Sequence, residues 1–218
     1  MTYEQIRSDA AIRTYIAQAD QSLNALGYTE HNFAHVTRVA ECAGEILQSL
    51  QYPPRIVELA KIAGFLHDIG NLVNRNEHGH SGAILAFRLL DERGFEPAEI
   101  ATVTTAIGNH DEGTGQPVSD LAAALILADK SDVRRTRVRN ADFSTFDIHD
   151  RVNYSVTSAS LTISDDHSEI LLDLVIDTAI SSVMDYFEIF LERMILCRKA
   201  AARLGMTFKL IVNGQTLL

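Results

Sequence analysis

Apolar residues recur at three- and four-residue spacing through the first two thirds of this chain, the period of helices that bury one face. Phe33, Val36, Val39 with Ala40, Ala43 and Ile46 with Leu47 form one such stripe and predict a helix from about Asn32 to Leu50. Before it, Thr2 and Gln5 are placed for a capping box that opens a helix from about Tyr3 to Leu26, with room for a single break, and Gly27 closes it. Pro53-Pro54 interrupts the pattern, and Pro54 opens a helix from Arg55 to about His67, with Gly70 as its stop. Residues 71–79 are polar and read as loop, followed by a helix from about Ser81 to Glu92 that ends at Gly94. Pro97 opens another that reaches His110. Residues 111–119 hold two glycines and a proline and predict a loop. A last helix of this region spans about Asp120 to Arg137.

The period changes after about Phe146. Tyr154 to Ile163 alternates and is rich in β-branched residues, Ser164 to Ser168 is turn chemistry, and Glu169 to Asp177 is a second strand-like run. Together they predict a β-hairpin. A long amphipathic helix follows from about Thr178 to Leu204, Gly205 ends it, and Met206 to Val212 predicts a final strand. The expected fold is mainly α: an all-helical body over 1–147 and a small C-terminal ββαβ unit over 148–218. An open strand edge in that unit invites pairing with a second copy, so a homodimer is expected.

Composition narrows the function. The chain has 218 residues, 46% of them hydrophobic, enough for a substantial core, and a formal charge of −10. That balance argues against general nucleic-acid binding, which usually leaves a basic footprint. A small phosphorylated substrate needs only local cations and stays open. Cys42 and Cys197, with no CxxC, fit thiols in a reducing compartment. The start lacks a basic segment followed by an apolar run, and the most apolar stretch, Leu121 to Ala128, is too short to cross a bilayer. A cytoplasmic protein is the expectation.

Candidate chemistry lies in four separated pieces: His35, the pair His67-Asp68, His110 and Asp129, each in a stretch that reads as helical. Imidazoles and carboxylates without thiolate suit Fe, Mn, Ni, Co or Mg better than a structural zinc. The plain alternative is a helical protein whose buried His and Asp pair with each other. His31 precedes His35 by one turn and faces the same way, as a pocket wall or as a helix-start residue. His149 and His167 read as surface residues. Lys130, Arg134, Arg135, Arg137 and Arg139 are the one strong basic cluster. Lys130, Arg134 and Arg135 are candidates to bind a substrate phosphate; a solvated helix C-terminus explains the same charges. Asp132 shares a helix face with Asp129 and is a candidate to orient a ligand.

Four segments carry a family resemblance: His35-Val-Thr-Arg-Val39, Phe65-Leu-His-Asp-Ile-Gly70, Asn109-His-Asp-Glu-Gly-Thr-Gly-Gln-Pro117 and Leu127-Ala-Asp-Lys-Ser-Asp-Val133. In this order they resemble the motifs of the HD-domain superfamily of metal-dependent phosphohydrolases, over roughly residues 28–135. The resemblance implies that the helices converge on one cleft, where His35, His67, Asp68 and Asp129 bind a first divalent ion. Asp68 then bridges to a second ion held by His110 and by His78 or His80. His78 has the register of the family's His-x-x-x-Gly-Ala pattern and is the expected ligand. Asp111 stands where many relatives have a second adjacent histidine, and is a further ligand or a support for one. Lysine shortly after His-Asp and Gly-Tyr-Pro, both usual in the cyclic-dinucleotide branch, are replaced here by Ile69-Gly70-Asn71-Leu72 and Gly115-Gln116-Pro117, which weakens that substrate class. The implied activity is hydrolysis of a small phosphoester, a nucleotide first, by metal-activated water, with His67 and Asp68 at its centre. Two alternatives stand beside it: a di-iron oxygenase using the same ligands, and a non-enzymatic ligand-binding or regulatory module whose functional part is the C-terminal unit.

Overall fold

The structure, a computed structural model, describes all residues from Met1 to Leu218. The first helical stretch is split at Asp9 into α1 (Tyr3–Ser8) and α2 (Ala10–Ala25). Asp9 is extended, and its carboxylate accepts from the N–H groups of Ala11 and Ile12, so one residue ends a helix and caps the next. The capping box of Thr2 and Gln5 is formed as the sequence predicts.

Helices α3 (Phe33–Ser49) and α4 (Pro54–Leu66) cross with their backbones in contact. The contact depends on Gly64, where an added Cβ would lie 2.6 Å from the Cα of Ala40. No side chain fits in that space. The close crossing brings His35, at the start of α3, against His67, which follows the last residue of α4; their ring centroids are 5.2 Å apart.

A 3-10 turn at Ile69–Leu72 leads to α5 (His78–Asp91). This helix starts at His78, three residues before the expected Ser81. No side chain caps it; Glu77 adopts a left-handed conformation (φ 57°) at its entry, and the Ser81 hydroxyl donates to the Gly70 carbonyl. Packing of the first turn on Gly70, where a Cβ would collide with the His78 carbonyl, starts the helix where local signals do not.

Helix α6 (Pro97–Gly108) is followed by α7 (Asp120–Ser131), buried without interruption from Leu121 to Lys130 and in contact with α3, α4 and α6. It stops at Ser131 and does not reach the expected Arg137. Asp132 leaves the helix, and Arg137 turns back to donate to the carbonyls of Asp132 (2.7 Å) and Glu30 (3.0 Å).

The C-terminal unit opens with α8 (Ile148–Ser155), which the alternation after Phe146 does not predict; the Asp147 carboxylate caps it. Strands β1 (Val156–Ile163) and β2 (Glu169–Ile176) form the expected antiparallel hairpin. Helix α9 (Val183–Arg203) starts later than expected, at a capping box of Ser182 and Asp185. It crosses over to β3 (Thr207–Val212), which pairs parallel to β2. A two-residue strand, β4 (Gln215–Thr216), turns back on β3 through Asn213-Gly214, both at positive φ, the turn chemistry of a tight hairpin. The fold is thus the mainly α body and small C-terminal sheet unit that the pattern predicts, with α8 and β4 added. The sheet order is β1-β2-β3-β4, which leaves the outer edge of β1 open.

Helix α9 lies on α7 as well as on the sheet, so a single hydrophobic core runs from Tyr3 to Val212. No helix is long and apolar enough to cross a membrane. Both cysteines are free thiols, Cys197 buried and Cys42 half-buried.

Because Gly64 is pressed on backbone and not on a flexible side chain, Gly64→Ala overpacks the α3–α4 crossing. Overpacking of a tight core costs ~1–3 kcal/mol, and a loss at the upper end is expected here. It is read as a lower urea midpoint at unchanged m-value.

Candidate metal centre

Four helices and one turn deliver six side chains to one buried space. His35 comes from the first turn of α3, His67 and Asp68 from the end of α4, His78 from the start of α5, His110 from just beyond α6, and Asp129 from the last turn of α7. The four imidazoles are almost wholly buried, and the two carboxylates are exposed by only 5% and 9%. His35 Nε2 lies 3.4 Å from Asp68 Oδ2 and 3.4 Å from Asp129 Oδ1. His67 Nε2 lies 3.2 Å and 3.6 Å from the same two oxygens. On the other side of Asp68, His78 Nε2 is 3.4 Å from Oδ1 and 3.2 Å from His110 Nε2.

The opposite ring nitrogen of each histidine is tied to an acceptor. His67 Nδ1 faces the Gly64 carbonyl at 2.8 Å, His110 Nδ1 the Ile107 carbonyl at 2.6 Å, and His78 Nδ1 the Arg75 carbonyl at 3.2 Å. A carbonyl only accepts, so each Nδ1 carries the hydrogen. His35 Nδ1 donates to Asp132 Oδ2 at 2.8 Å. All four rings therefore aim Nε2 at the common space, the tautomer and orientation of metal-binding histidines.

Three atoms in that space are buried without a hydrogen-bond partner: His35 Nε2, His67 Nε2 and Asp68 Oδ2. Orphaned buried acceptors are costly unless an ion or water meets them. Two triads have donor atoms within 4.8 Å of one another, His35-His67-Asp129 and His67-Asp68-His110. The residues thus fit a divalent cation, in donor chemistry and in geometry.

Charge in the cluster points the same way. Burial lowers the basicity of His67, but Asp68 and Asp129 outweigh it and lift its pKa to about 10. Burial and then the positive charge of His67 push His110 down to about 3. Burial alone would raise Asp68 and Asp129; His67 beside Asp68, and Lys130 with His67 beside Asp129, hold both well below the usual carboxylate range. The same carboxylates raise His35 against the cost of its burial, so the cluster favours positive charge among its imidazoles.

Charged neighbours fix the ligands in place. Lys130 is buried and bonds Asp129 Oδ2 at 2.7 Å, which leaves Oδ1 facing His35 and His67. Lys130 also meets Glu112 at 3.2 Å, and Glu112 meets Arg193 of α9 at 2.8 Å. Asp132 is buried, held by Arg134 and Arg137, and orients His35. Asp111 lies at the margin, 3.9 Å from His78 Nδ1 and 3.9 Å from Lys130. His80 is exposed and outside the cluster.

Of the basic candidates, only Lys130 stands at the cluster, and there it holds a carboxylate. Arg134 pairs with Asp132 and Glu30 and lines a separate groove with Arg38 and Glu45. Arg135 bonds the Tyr154 carbonyl and lies over the Tyr154 ring. A cleft of about 920 Å³ adjoins the cluster and is lined instead by Arg75, Arg137 and Arg193, with His31 and Glu112. His31 packs on His35 at 5.5 Å, as its one-turn spacing suggests. Arg137 belonged to the basic run. Arg193 lies 64 positions beyond Asp129, and no local signal marks it.

Residues 32–134 match the family model of the HD domain. This span includes all six clustered side chains and ends before α8, the sheet and α9. Among curated proteins, the chain is similar to the uncharacterized protein MJ1020 of Methanocaldococcus jannaschii, 26% identical over an alignment of 184 positions that covers 74% of this chain and 69% of that protein. Among solved structures, it is similar to a predicted HD superfamily hydrolase from an uncultured Thermotogales bacterium, at 28% identity, covering 57% of this chain and 67% of the other, with a TM-score of 0.46.

Metal binding is expected to release a proton. His67 is protonated below about pH 10 in the metal-free cluster and must lose that proton to ligate. Apparent affinity therefore rises with pH between 6 and 9 on the order of tenfold per unit for one proton. Calorimetric titration with Mn²⁺ in buffers of different ionisation enthalpy measures the release directly. Asp132→Asn is expected to weaken the metal by ~10–100-fold, the usual effect of removing a ligand's outer partner. His80→Ala leaves affinity unchanged.

Proposed function

We propose that the chain, whose residues 32–134 match the HD-domain family model, is a metal-dependent hydrolase of that superfamily and hydrolyses a small phosphoester, with nucleotides the first class of substrate. One or two divalent ions would be held by His35, His67, Asp68, His78, His110 and Asp129. The observation that carries this reading is the convergence of buried, unpartnered acceptors on one space beside an open cleft. The two oxygens of Asp68 face different donors: Oδ2 faces His35 and His67, and Oδ1 faces His78. That division would let Asp68 contribute to holding an ion on either side of its carboxylate.

Ions in such a site supply Lewis acidity, polarising a phosphoryl oxygen and lowering the pKa of water. The protein's own groups do the rest. Lys130 fixes which oxygen of Asp129 is presented, Asp132 fixes the plane of His35, and the carbonyls of Gly64, Ile107 and Arg75 fix the other three rings. Such preorganisation keeps reorganisation cost low when charge develops on the substrate. Absence of thiolate favours Fe, Mn, Ni, Co or Mg. The complete donor set supports an enzyme over a fold that has lost its chemistry. The open edge of β1 supports a homodimer formed through the sheet.

Metal-loaded protein is expected to turn over a generic phosphoester or members of a nucleotide panel. Asp68→Ala is expected to lower kcat/KM by more than ~100-fold, beyond the usual loss for an outer partner. No turnover with any of the five metals overturns the proposal. Gel-filtration mass tests the dimer: a monomer, or a dimer unaffected by charged substitutions on β1, removes it.

A further inference from the structure

Three guanidinium groups line the cleft beside the cluster, and each is pinned by one edge only. Arg193 donates through Nε to Glu112 Oε1 at 2.8 Å and lies over the Phe190 ring at 4.2 Å, while its two terminal nitrogens make no hydrogen bond within the protein. Arg137 donates through Nε to Glu30 and through Nη1 to Asp132, leaving Nη2 free. Arg75 reaches His78 Nε2 with Nη1 at 3.4 Å and leaves its other terminal nitrogen free. A guanidinium already fixed in plane loses little freedom on gripping an anion, and its fork matches phosphate oxygens.

Arg75 touches the cluster at His78, whereas the other two arginines stand back from the clustered side chains. Arg193 reaches Asp129 only through Glu112 and Lys130, and Arg137 reaches His35 only through Asp132. They are therefore placed for a part of the substrate other than the phosphoryl group at the ions. The same cleft is lined by Tyr28 and Phe187, which offer apolar surface to an organic moiety. Carboxylates at Glu112, Asp147, Asp150, Glu188 and Glu192 also line it, Glu112 being held by Lys130 and Arg193, so the anion-binding ground is limited to the three arginines.

We propose that Arg75, Arg137 and Arg193 form an anion subsite, and that the substrate carries a second phosphate besides the one cleaved, as in an organic diphosphate or bisphosphate. This rests on the phosphohydrolase reading above. It gives the C-terminal unit a role, because Arg193 and Phe187 belong to α9, outside the matched span of 32–134. The second wall of the cleft is built by that unit.

The test is calorimetric binding of methylenebisphosphonate, which resists hydrolysis, and of orthophosphate to the Mn²⁺-loaded protein, with metal content measured on every sample. Wild type is expected to bind the bisphosphonate at least about tenfold tighter, the worth of one or two charged hydrogen bonds. Arg193→Gln and Arg75→Gln each remove most of that margin, leave orthophosphate within about twofold and leave metal content unchanged. Arg75 is half-buried on a turn, so its variant remains informative if Arg193→Gln fails to fold. Equal affinity for the two probes, or a margin untouched by both substitutions, overturns the subsite. Phosphoester turnover without an arginine-dependent margin keeps the hydrolase and removes the subsite. The margin without turnover of any phosphoester keeps the subsite and removes the hydrolase.

Discussion

Two carboxylates, Asp68 and Asp129, are buried within a helical body, and their negative charge must be met within a few ångströms. A buried charge without a partner costs several kcal/mol or more, so the surroundings of such a pair are tightly constrained. Four imidazoles face them, each with Nδ1 occupied elsewhere, and Lys130 takes the remaining oxygen of Asp129. What remains is a set of lone pairs aimed at one space. The preference for a cation follows from this arrangement: beyond the charge that Lys130 supplies, Asp68 and Asp129 raise the basicity of His67 against the cost of its burial.

The scaffold exists to hold these groups at close range. Backbone contact at Gly64 sets how near α3 and α4 approach, and hence how near His35 and His67 lie. The Gly70 contact does the same for His78 at the start of α5. Helix α7, buried along its length, brings Asp129 in from the centre of the core. Histidines on separate helices are thereby held as rigidly as the core is packed, a requirement for ligands that must keep their distances.

Charge is organised by depth. The chain is acidic overall, at −10, and its cleft sets three arginines among five carboxylates beside the cluster. Net charge governs solubility and long-range approach, whereas a low-dielectric cleft responds to the nearest groups. A chain of net negative charge can therefore still present local positive charge to a small anion. The ion-pair chain from Arg193 through Glu112 and Lys130 to Asp129 also ties α9 to the helical body electrostatically, in addition to their shared core.

Residues 32–134 carry local signals that sequence reading recovers: helical periods, capping residues, and the order His … His-Asp … His … Asp. Each depends on spacing of a few residues, which the helix itself converts into direction, and so the mainly α body was legible; the alternation and amphipathic period beyond it made the hairpin and α9 legible too, and His78, favoured by its register with Gly82-Ala83, lies in the cluster. Where packing overrode local preference, reading failed. The early start of α5 comes from its seat on Gly70, and the early end of α7 from Arg137 folding back on Asp132. The capping signals of α8 and the Asn213-Gly214 turn were present but slight beside the strand pattern around them. Which cations face the cleft was decided only by tertiary structure. Adjacency in sequence favoured Arg134 and Arg135, but consecutive residues leaving a helix end point in different directions. Arg193 reaches the cleft from a helix whose docking depends on a core assembled across the whole chain, and no local pattern encodes that distance.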